Sequence, residues 1–397
     1  MLIRNVFLLA TCQALMMTSM SLIGTVSGLV GYALADDKAL ATLPHALQFA
    51  GMMSITFPAS MLMGRVGRQY GFLLGATFAI VGASLAAVAI SNENFWLFCF
   101  ASALVGCSTA FGQYYRFAAA DVAPLEFRAR AISLVLSGGV VAAFAGPNLA
   151  GFTQFMMADT AFVGGYVAVV LLSCLSFLVL LFVRIPKVEP KSTDGPARPL
   201  SDIVRRPTYA TAVLCAVIAY TTMALVMTAT PLAMRAKGLP FHDTVLVIQW
   251  HIVGMYGPAF FTGHLIKRFG VITIMMSGAL LSALCAIVNL VNDTTAYIWT
   301  ALFLIGVGWN FLFTGATTLL TETYTEAEKS KAQGFNDLLL FSGVAFAALM
   351  SGTIHHYLGW NVLNATMIVP PIIAFGALVW LRAYRARVEP TPAPARP

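Results

Sequence analysis

The chain has 397 residues, of which 59% are hydrophobic and only 10% are Asp, Glu, Lys or Arg, with a formal net charge of +7. A soluble domain carries about 25% charged residues, so a water-soluble globule is excluded, and a disordered chain or a disulfide scaffold fails on the same arithmetic. What remains is a polytopic membrane protein: 59% of 397 residues supplies close to twelve spans of roughly 20 apolar residues each.

In chain order the apolar runs predict spans over 5–34, 40–63, 71–91, 96–119, 131–153 and 162–183. A second set follows over 208–233, 245–266, 271–291, 297–319, 338–354 and 361–381. The expected fold is an all-α polytopic membrane protein with an N-terminal six-helix bundle over 1–184, a linker over 185–207 and a C-terminal six-helix bundle over 208–397 that ends in a short tail. The linker is the only long polar stretch, and its proline, glycine and charge content marks it. The first run has a basic flank in Arg4 and a small-x-small sequence at Ala33-Leu34-Ala35. It is nevertheless about twice as long as the apolar stretch of a cleaved leader, so an uncleaved first helix is expected.

Basic residues set the orientation. If the N-terminus faces the cytoplasm and the spans alternate, the inner loops hold nineteen of the 23 Lys and Arg. The outer loops keep three, Lys38, Arg235 and Lys237, and Arg116 lies within a span. This asymmetry predicts that both termini are cytoplasmic. The positive charge is thus an orientation signal; basic patches interleaved with aromatics, which would point to nucleic acid, do not occur. The six cysteines all fall in apolar runs without CxxC or metal-ligand spacing, a pattern of packing residues.

The two halves echo each other at an offset of about 201. Gln48 and Pro58-Ala59 in span 2 match Gln249 and Pro258-Ala259 in span 8, and the loops that follow read Arg65-x-Gly67 and Arg268-x-Gly270. Asp121-VAPLEF-Arg128-Ala-Arg130 aligns with Glu322-TYTEAE-Lys329-Ser-Lys331. Two matches in order argue for duplicated six-helix halves, the parallel repeat of secondary transporters.

On these residues the chain resembles the major facilitator superfamily across essentially its full length. Pro58-ASMLM-Gly64-Arg65-Val66-Gly67-Arg68 is similar to that family's signature loop, with Ser60 and Gly64 where the family has glycine and aspartate. The second-half copy puts Lys267 at the aspartate position. In span 5, Gly146-Pro147-Asn148-Leu149-Ala150-Gly151 is similar to the family's antiporter element, although a Gly-Pro kink against a neighbouring helix reads equally well. The resemblance implies two bundles that rock around a central cavity lined by spans 1, 4, 7 and 10, and a cytoplasmic gate built from loop charges.

Intramembrane polar groups are costly and therefore candidate functional groups. All sixteen acidic residues fall in loops or at span ends, with Asp121, Glu322 and Asp337 nearest the bilayer, so no carboxylate is expected near the midplane. His251 in span 8, beside Gln249 and Trp250, is then the candidate proton carrier; the alternative is a histidine that hydrogen-bonds a neighbouring helix. Arg116 shares a helix face with Gln113 and follows Tyr114. It is expected to bind an anionic or carbonyl-bearing solute, or else to snorkel or pair with Asp121. Gln13, Tyr220, Trp309 and Asn310, on the spans that the resemblance places around the cavity, complete the candidate substrate set together with Gln113, Tyr114, Gln249 and Trp250. Asn336-Asp337, predicted to open span 11, would lie near Arg65 and Arg68, with Lys267 and Arg268 against Asp121 or Glu126 as the pseudo-symmetric pairs. These pairs are expected to latch the cytoplasmic side in the outward-open state.

The function expected is secondary active transport of a small organic solute by alternating access, proton-coupled, with an uncoupled facilitator of the same fold as the alternative. A membrane-embedded enzyme would need clustered His, Asp or Glu within the spans, and none stand at ligand spacing; a receptor does not predict the repeat. No Walker A loop occurs. The partners expected are the lipid bilayer, the solute and protons, with no nucleic acid, no metal and no cofactor, in a cytoplasmic-membrane monomer.

Overall fold

The computed structural model describes residues 2–124, 127–157, 161–185, 198–325 and 327–388. Among them the regular structure is helical, as lipid demands: with no water in the hydrocarbon core, every backbone N–H and C=O must pair within its own segment. Spans 1 to 3 are α1 (Leu2–Leu34), α2 (Leu43–Val66) and α3 (Arg68–Ser91). Span 4 divides into α4 (Phe95–Gly112) and α5 (Tyr115–Val122), span 5 into α6 (Arg128–Leu136) and α7 (Gly138–Thr153), and span 6 is α8 (Val163–Leu181). After the short α9 (Leu200–Val204), α10 (Pro207–Ala236) is span 7. Span 8 consists of α11 (Phe241–Tyr256) and α12 (Ala259–Phe269), bent by 43°. Pro258 at the break has no N–H to donate, which explains the bend. The remaining helices are α13 (Val271–Val291), α14 (Thr295–Thr321), α15 (Lys329–Thr366) and α16 (Val369–Val388).

Among the described residues ten stretches are long and apolar enough to cross a membrane, eleven with the bent pair. The last runs over 57 residues, about 85 Å if straight against about 30 Å of hydrocarbon. It folds back at Gly359, whose φ of 81° and ψ of 176° interrupt α15 in a region that glycine tolerates. Counted as two passes on either side of this interruption, the last stretch brings the eleven to the twelve expected from composition.

The halves are built alike. Leu9, Phe72 and Leu180, with Leu22, Phe98 and Tyr166, are core residues of the first six spans; Tyr209, Met234, Met275 and Ile298 belong to the core of the last six. Helix pairs close through glycine seams at equivalent places. A methyl on Gly51 would fall 2.3 Å from the Ala103 carbonyl oxygen, and one on Gly106 1.9 Å from that of Gln48, which locks α2 to α4. In the second half a methyl on Gly306 would meet the His251 carbonyl at 2.5 Å, and one on Gly254 the Phe303 carbonyl at 2.9 Å, which locks α11 to α14. Small residues at membrane interfaces let backbones approach this closely. Gly306→Val is therefore expected to cost about 1–3 kcal/mol by overpacking, read as a lowered thermal midpoint of the purified protein, whereas Gly376→Val, where nothing lies within 4 Å, should leave it unchanged. In α7, Gly146 brings the helix against Ser21 of α1, the packing reading of that Gly-Pro element.

We term the end carrying Arg65, Arg68, Arg205, Lys267 and Arg268 the basic end, and the other the distal end. At the basic end the ion pairs lie within one half: Arg68 with Asp121 at 2.6 Å and Arg385 with Glu322 at 2.7 Å. Where the chain re-enters the second half, Arg198 grips Glu328 in a fork (Nε–Oε1 2.5 Å, Nη2–Oε2 2.6 Å). The Glu328 carboxylate also accepts the Thr325 and Arg198 backbone N–H groups. The hydrogen bonds from Arg198 hold the Glu328 carboxyl far below the usual carboxylate range and raise Arg198 in turn.

Two features depart from the sequence reading. Span 4 breaks at Gln113–Tyr114 and span 5 at Ser137, without a proline at either place. And α15 begins at Lys329, nine residues before the predicted start at 338. Asp337 does not open a helix; it lies two turns inside one, about 12 Å along the axis from Lys329.

Candidate functional site

The break in span 4 sets Arg116 in the first turn of α5, directly after the turn at Gln113–Tyr114. Around it the fold is tight: Tyr115 is buried edge-on to Phe72 at 4.7 Å, and the Tyr114 hydroxyl donates to the Thr56 carbonyl at 3.4 Å. Arg116 itself stays uncommitted. Its guanidinium lies 4.8 Å from the Phe117 ring, its Nε is buried without a hydrogen-bond partner, and the snorkelling pair with Asp121 is not made, because Asp121 binds Arg68. Arg116 lies within electrostatic range of the Tyr220 and Tyr256 hydroxyls and of the Asp337 carboxylate, all from the second half.

Those tyrosines belong to an aromatic cluster on α10, α11, α14 and α15. Trp309 and Phe313 stack at 5.0 Å with 14° between their planes; Tyr220 meets them edge-on at 5.2 and 5.1 Å. Tyr256 stands 6.1 Å from Trp309 and Phe341 6.3 Å from Tyr220. The indole Nε1 of Trp309 is buried and unpartnered. Gln13 is buried on α1, and Gln113 is half-buried at the span-4 break. Aromatic walls with few unpaired donors are the make-up of a small-molecule site.

The contacts between the halves are unevenly placed along the molecule. Among the described residues every hydrogen bond or ring contact between the halves lies in the middle or at the distal end. Asn148 donates to Gln249 at 2.6 Å, and Thr42 donates to the Leu349 carbonyl and accepts the Gly352 N–H. Phe162 packs edge-on against Phe241 at 5.3 Å, and Arg235 lies over the Tyr32 ring at 4.8 Å. No such contact joins the halves at the basic end, where Asp337 is exposed with only Asn336 as hydrogen-bond partner. The expected latch pairs are accordingly not made in this conformation. Arg65 and Lys267 enter no ion pair among the described residues, Arg268 lies 5.2 Å from the Phe269 ring, and Glu126 lies outside the described residues.

Three expected site residues face elsewhere. His251 is 0% exposed and its Nδ1 donates to the Leu302 carbonyl at 2.8 Å; this is helix-to-helix bonding between α11 and α14, with Nε2 enclosed. Asn310, 2% exposed, donates to the Met255 carbonyl at 2.7 Å and accepts from Thr262 at 2.6 Å, so its amide braces the α11–α12 bend instead of the cavity. Trp250 packs on Trp299 and Phe303, away from the Trp309 cluster. Sequence reasoning missed Tyr256, Phe313 and Phe341. Phe313 was findable, four residues after Trp309 and thus on its face; Tyr256 precedes the Gly257-Pro258 break.

A family model described as Major Facilitator Superfamily matches residues 9–311 and 212–397. The riboflavin transporter RfnT of Brucella anthropi is 39% identical over 373 residues, covering 94% of this chain and 93% of the relative. The uncharacterized MFS-type transporter YddS of Bacillus subtilis is 29% identical over 385 residues, covering 90% of this chain and 86% of the relative. Among solved structures the nucleoside transporter NupG is similar with a TM-score of 0.71 at 13% identity, over 94% of this chain and 99% of that one, a likeness of fold alone.

Proposed function

The chain belongs to the Major Facilitator Superfamily, and we propose that it is a secondary transporter of a flavin-type solute, a planar heteroaromatic molecule with ring carbonyls and a hydroxylated side chain. The carrying observation is the stacked Trp309–Phe313 pair, framed by Tyr220 and Tyr256, with the Arg116 guanidinium of the first half, whose Nε has no hydrogen-bond partner, within electrostatic range of both tyrosines. Ring faces of this kind stack a flat solute, and a guanidinium fork donates to its carbonyls. The 39% identity to a riboflavin transporter supports the same cargo. The two halves divide the work: the second supplies stacking, the first the polar anchor, so solute bound between them draws the halves together.

In this reading the basic end is cytoplasmic, both termini lie there, and the protein acts as a monomer in the cytoplasmic membrane. Transport is driven by protons. The supporting carboxylate is Asp337, exposed to the open side and within range of Arg116; His251, enclosed between α11 and α14, serves as a brace. The test is uptake of labelled riboflavin by cells that neither make nor import it. Expression of the wild type should give saturable uptake that a protonophore collapses. Uptake no higher than in vector cells refutes the cargo, and uptake indifferent to the protonophore refutes the coupling in favour of an uncoupled facilitator.

A further inference from the structure

At the distal end a cavity of about 790 Å³ opens between the halves, within the roughly 300–1,000 Å³ of small-molecule sites. The first half lines it with Asp36 after α1, Glu93 after α3 and Phe162 before α8; the second lines it with Arg235 on α10 and Phe241 opening α11. It is separate from the Trp309 cluster, none of whose residues line it.

Backbone strain marks this cavity. Among the described residues the only non-glycine positions with positive φ are Glu93 at 52° and Phe162 at 73°, and both line it. That region is sterically unfavourable for an L-residue, and for a bulky aromatic it is an outlier. Such residues persist where the surroundings over-determine them, which is characteristic of ligand clamps and switches. Phe162 is held by the Phe241 ring of the other half.

Charge marks it too. Asp36 and Glu93 are exposed and enter no ion pair among the described residues. The nearby cations are engaged: Lys38 donates to the Tyr32 and Ala35 carbonyls at 2.8 and 2.6 Å, and Arg235 lies over the Tyr32 ring. The cavity thus offers two carboxylate acceptors without ion-pair partners, two cations, Lys38 and Arg235, that are already engaged, and an aromatic pair.

We propose that this vestibule is a second binding site, where a neutral, hydroxylated heteroaromatic solute waits before the distal contacts open. The inference rests on the flavin reading of the central site. The Phe162–Phe241 pair supplies the ring wall, Arg235 donates to ring carbonyls, and Asp36 and Glu93 accept hydrogen bonds from the hydroxyl chain. The same carboxylates repel a phosphate, so the vestibule admits the free solute and rejects its phosphate monoester.

The experiment is equilibrium dialysis of the purified full-length protein with riboflavin, and separately with riboflavin phosphate. Wild type should bind two riboflavin molecules per chain and no phosphate ester in the vestibule. Phe162→Gly removes the aromatic wall while relieving the backbone, and it should bind one riboflavin, as should Phe241→Ala; because both rings pack on buried clusters, retention of the central molecule serves as the check that each variant is folded. Trp309→Ala should instead lose the central molecule and keep the vestibule one. Asp36→Asn with Glu93→Gln should let the phosphate ester occupy the vestibule. A single riboflavin per wild-type chain, lost on Trp309→Ala, overturns the vestibule alone, and so does an unchanged second molecule in Phe162→Gly. Absence of any riboflavin binding overturns the central reading together with it.

Discussion

Arg116→Ala is expected to raise the KM for riboflavin uptake about 10- to 150-fold, because a hydrogen bond from a charged donor contributes about 1.5–3 kcal/mol and each 1.4 kcal/mol is a factor of ten. Arg116→Lys should recover only part of this, since an ammonium lacks the planar fork that meets a ring carbonyl and its neighbouring nitrogen together. Folding should survive both changes. Arg116 enters no ion pair among the described residues, and its Nε has no hydrogen-bond partner, so its removal leaves no protein group newly unsatisfied. Measuring uptake kinetics beside the thermal midpoint separates anchoring from stability. An Arg116→Ala protein with wild-type KM would show that the guanidinium does not touch the solute.

The second large effect concerns energy. For one proton per solute, a gradient of one pH unit is worth about 1.36 kcal/mol, enough for roughly tenfold accumulation in proteoliposomes. Asp337→Asn should bring that ratio to about one while solute exchange across the membrane continues, because exchange needs the conformational change but not the release of a proton. His251→Gln should leave accumulation near wild type. Its role is the hydrogen bond to the Leu302 carbonyl, which the amide N–H group of glutamine can supply. If Asp337→Asn accumulates solute as wild type does and His251→Gln fails to, the two assignments are reversed.

These assignments show what the sequence disclosed and what it hid. Composition and apolar runs pointed to the twelve passes, but the bend in span 8 was not read from them: Pro258 ends α11 there, whereas its repeat partner Pro58 lies inside the continuous α2. The break at Gln113–Tyr114 carried only a weak signal, the glycine at 112 that ends α4, because an isolated glycine in an apolar span more often packs than breaks. Asp337 was misplaced for a physical reason. Hydropathy begins span 11 where the apolar residues begin, at 338, whereas the helix begins where backbone bonding can start, after the Glu328 carboxylate has bound Arg198 and the Thr325 N–H. The segment Lys329-SKAQGFN-Asp337 is polar and helical at once. For His251 and Asn310 the obstacle was direction. In a helix apolar on all sides, no periodicity separates the face toward a cavity from the face toward the next helix. Both polar side chains faced a neighbour, while Trp309, one residue before Asn310, faced the other way. Arg116 was legible because a guanidinium in a span must be explained.

The glycine seams carry a consequence for how such a protein changes over time. Gly51 with Gly106, and Gly254 with Gly306, join helices backbone to backbone, so the machinery of movement depends on positions where any side chain is too large. The proposed solute-stacking wall is a different set, Tyr220, Tyr256, Trp309 and Phe313, none of which is a glycine of those seams. The backbone joints and the aromatic faces thus occupy different positions, so a substitution in the aromatic cluster leaves the glycine seams in place.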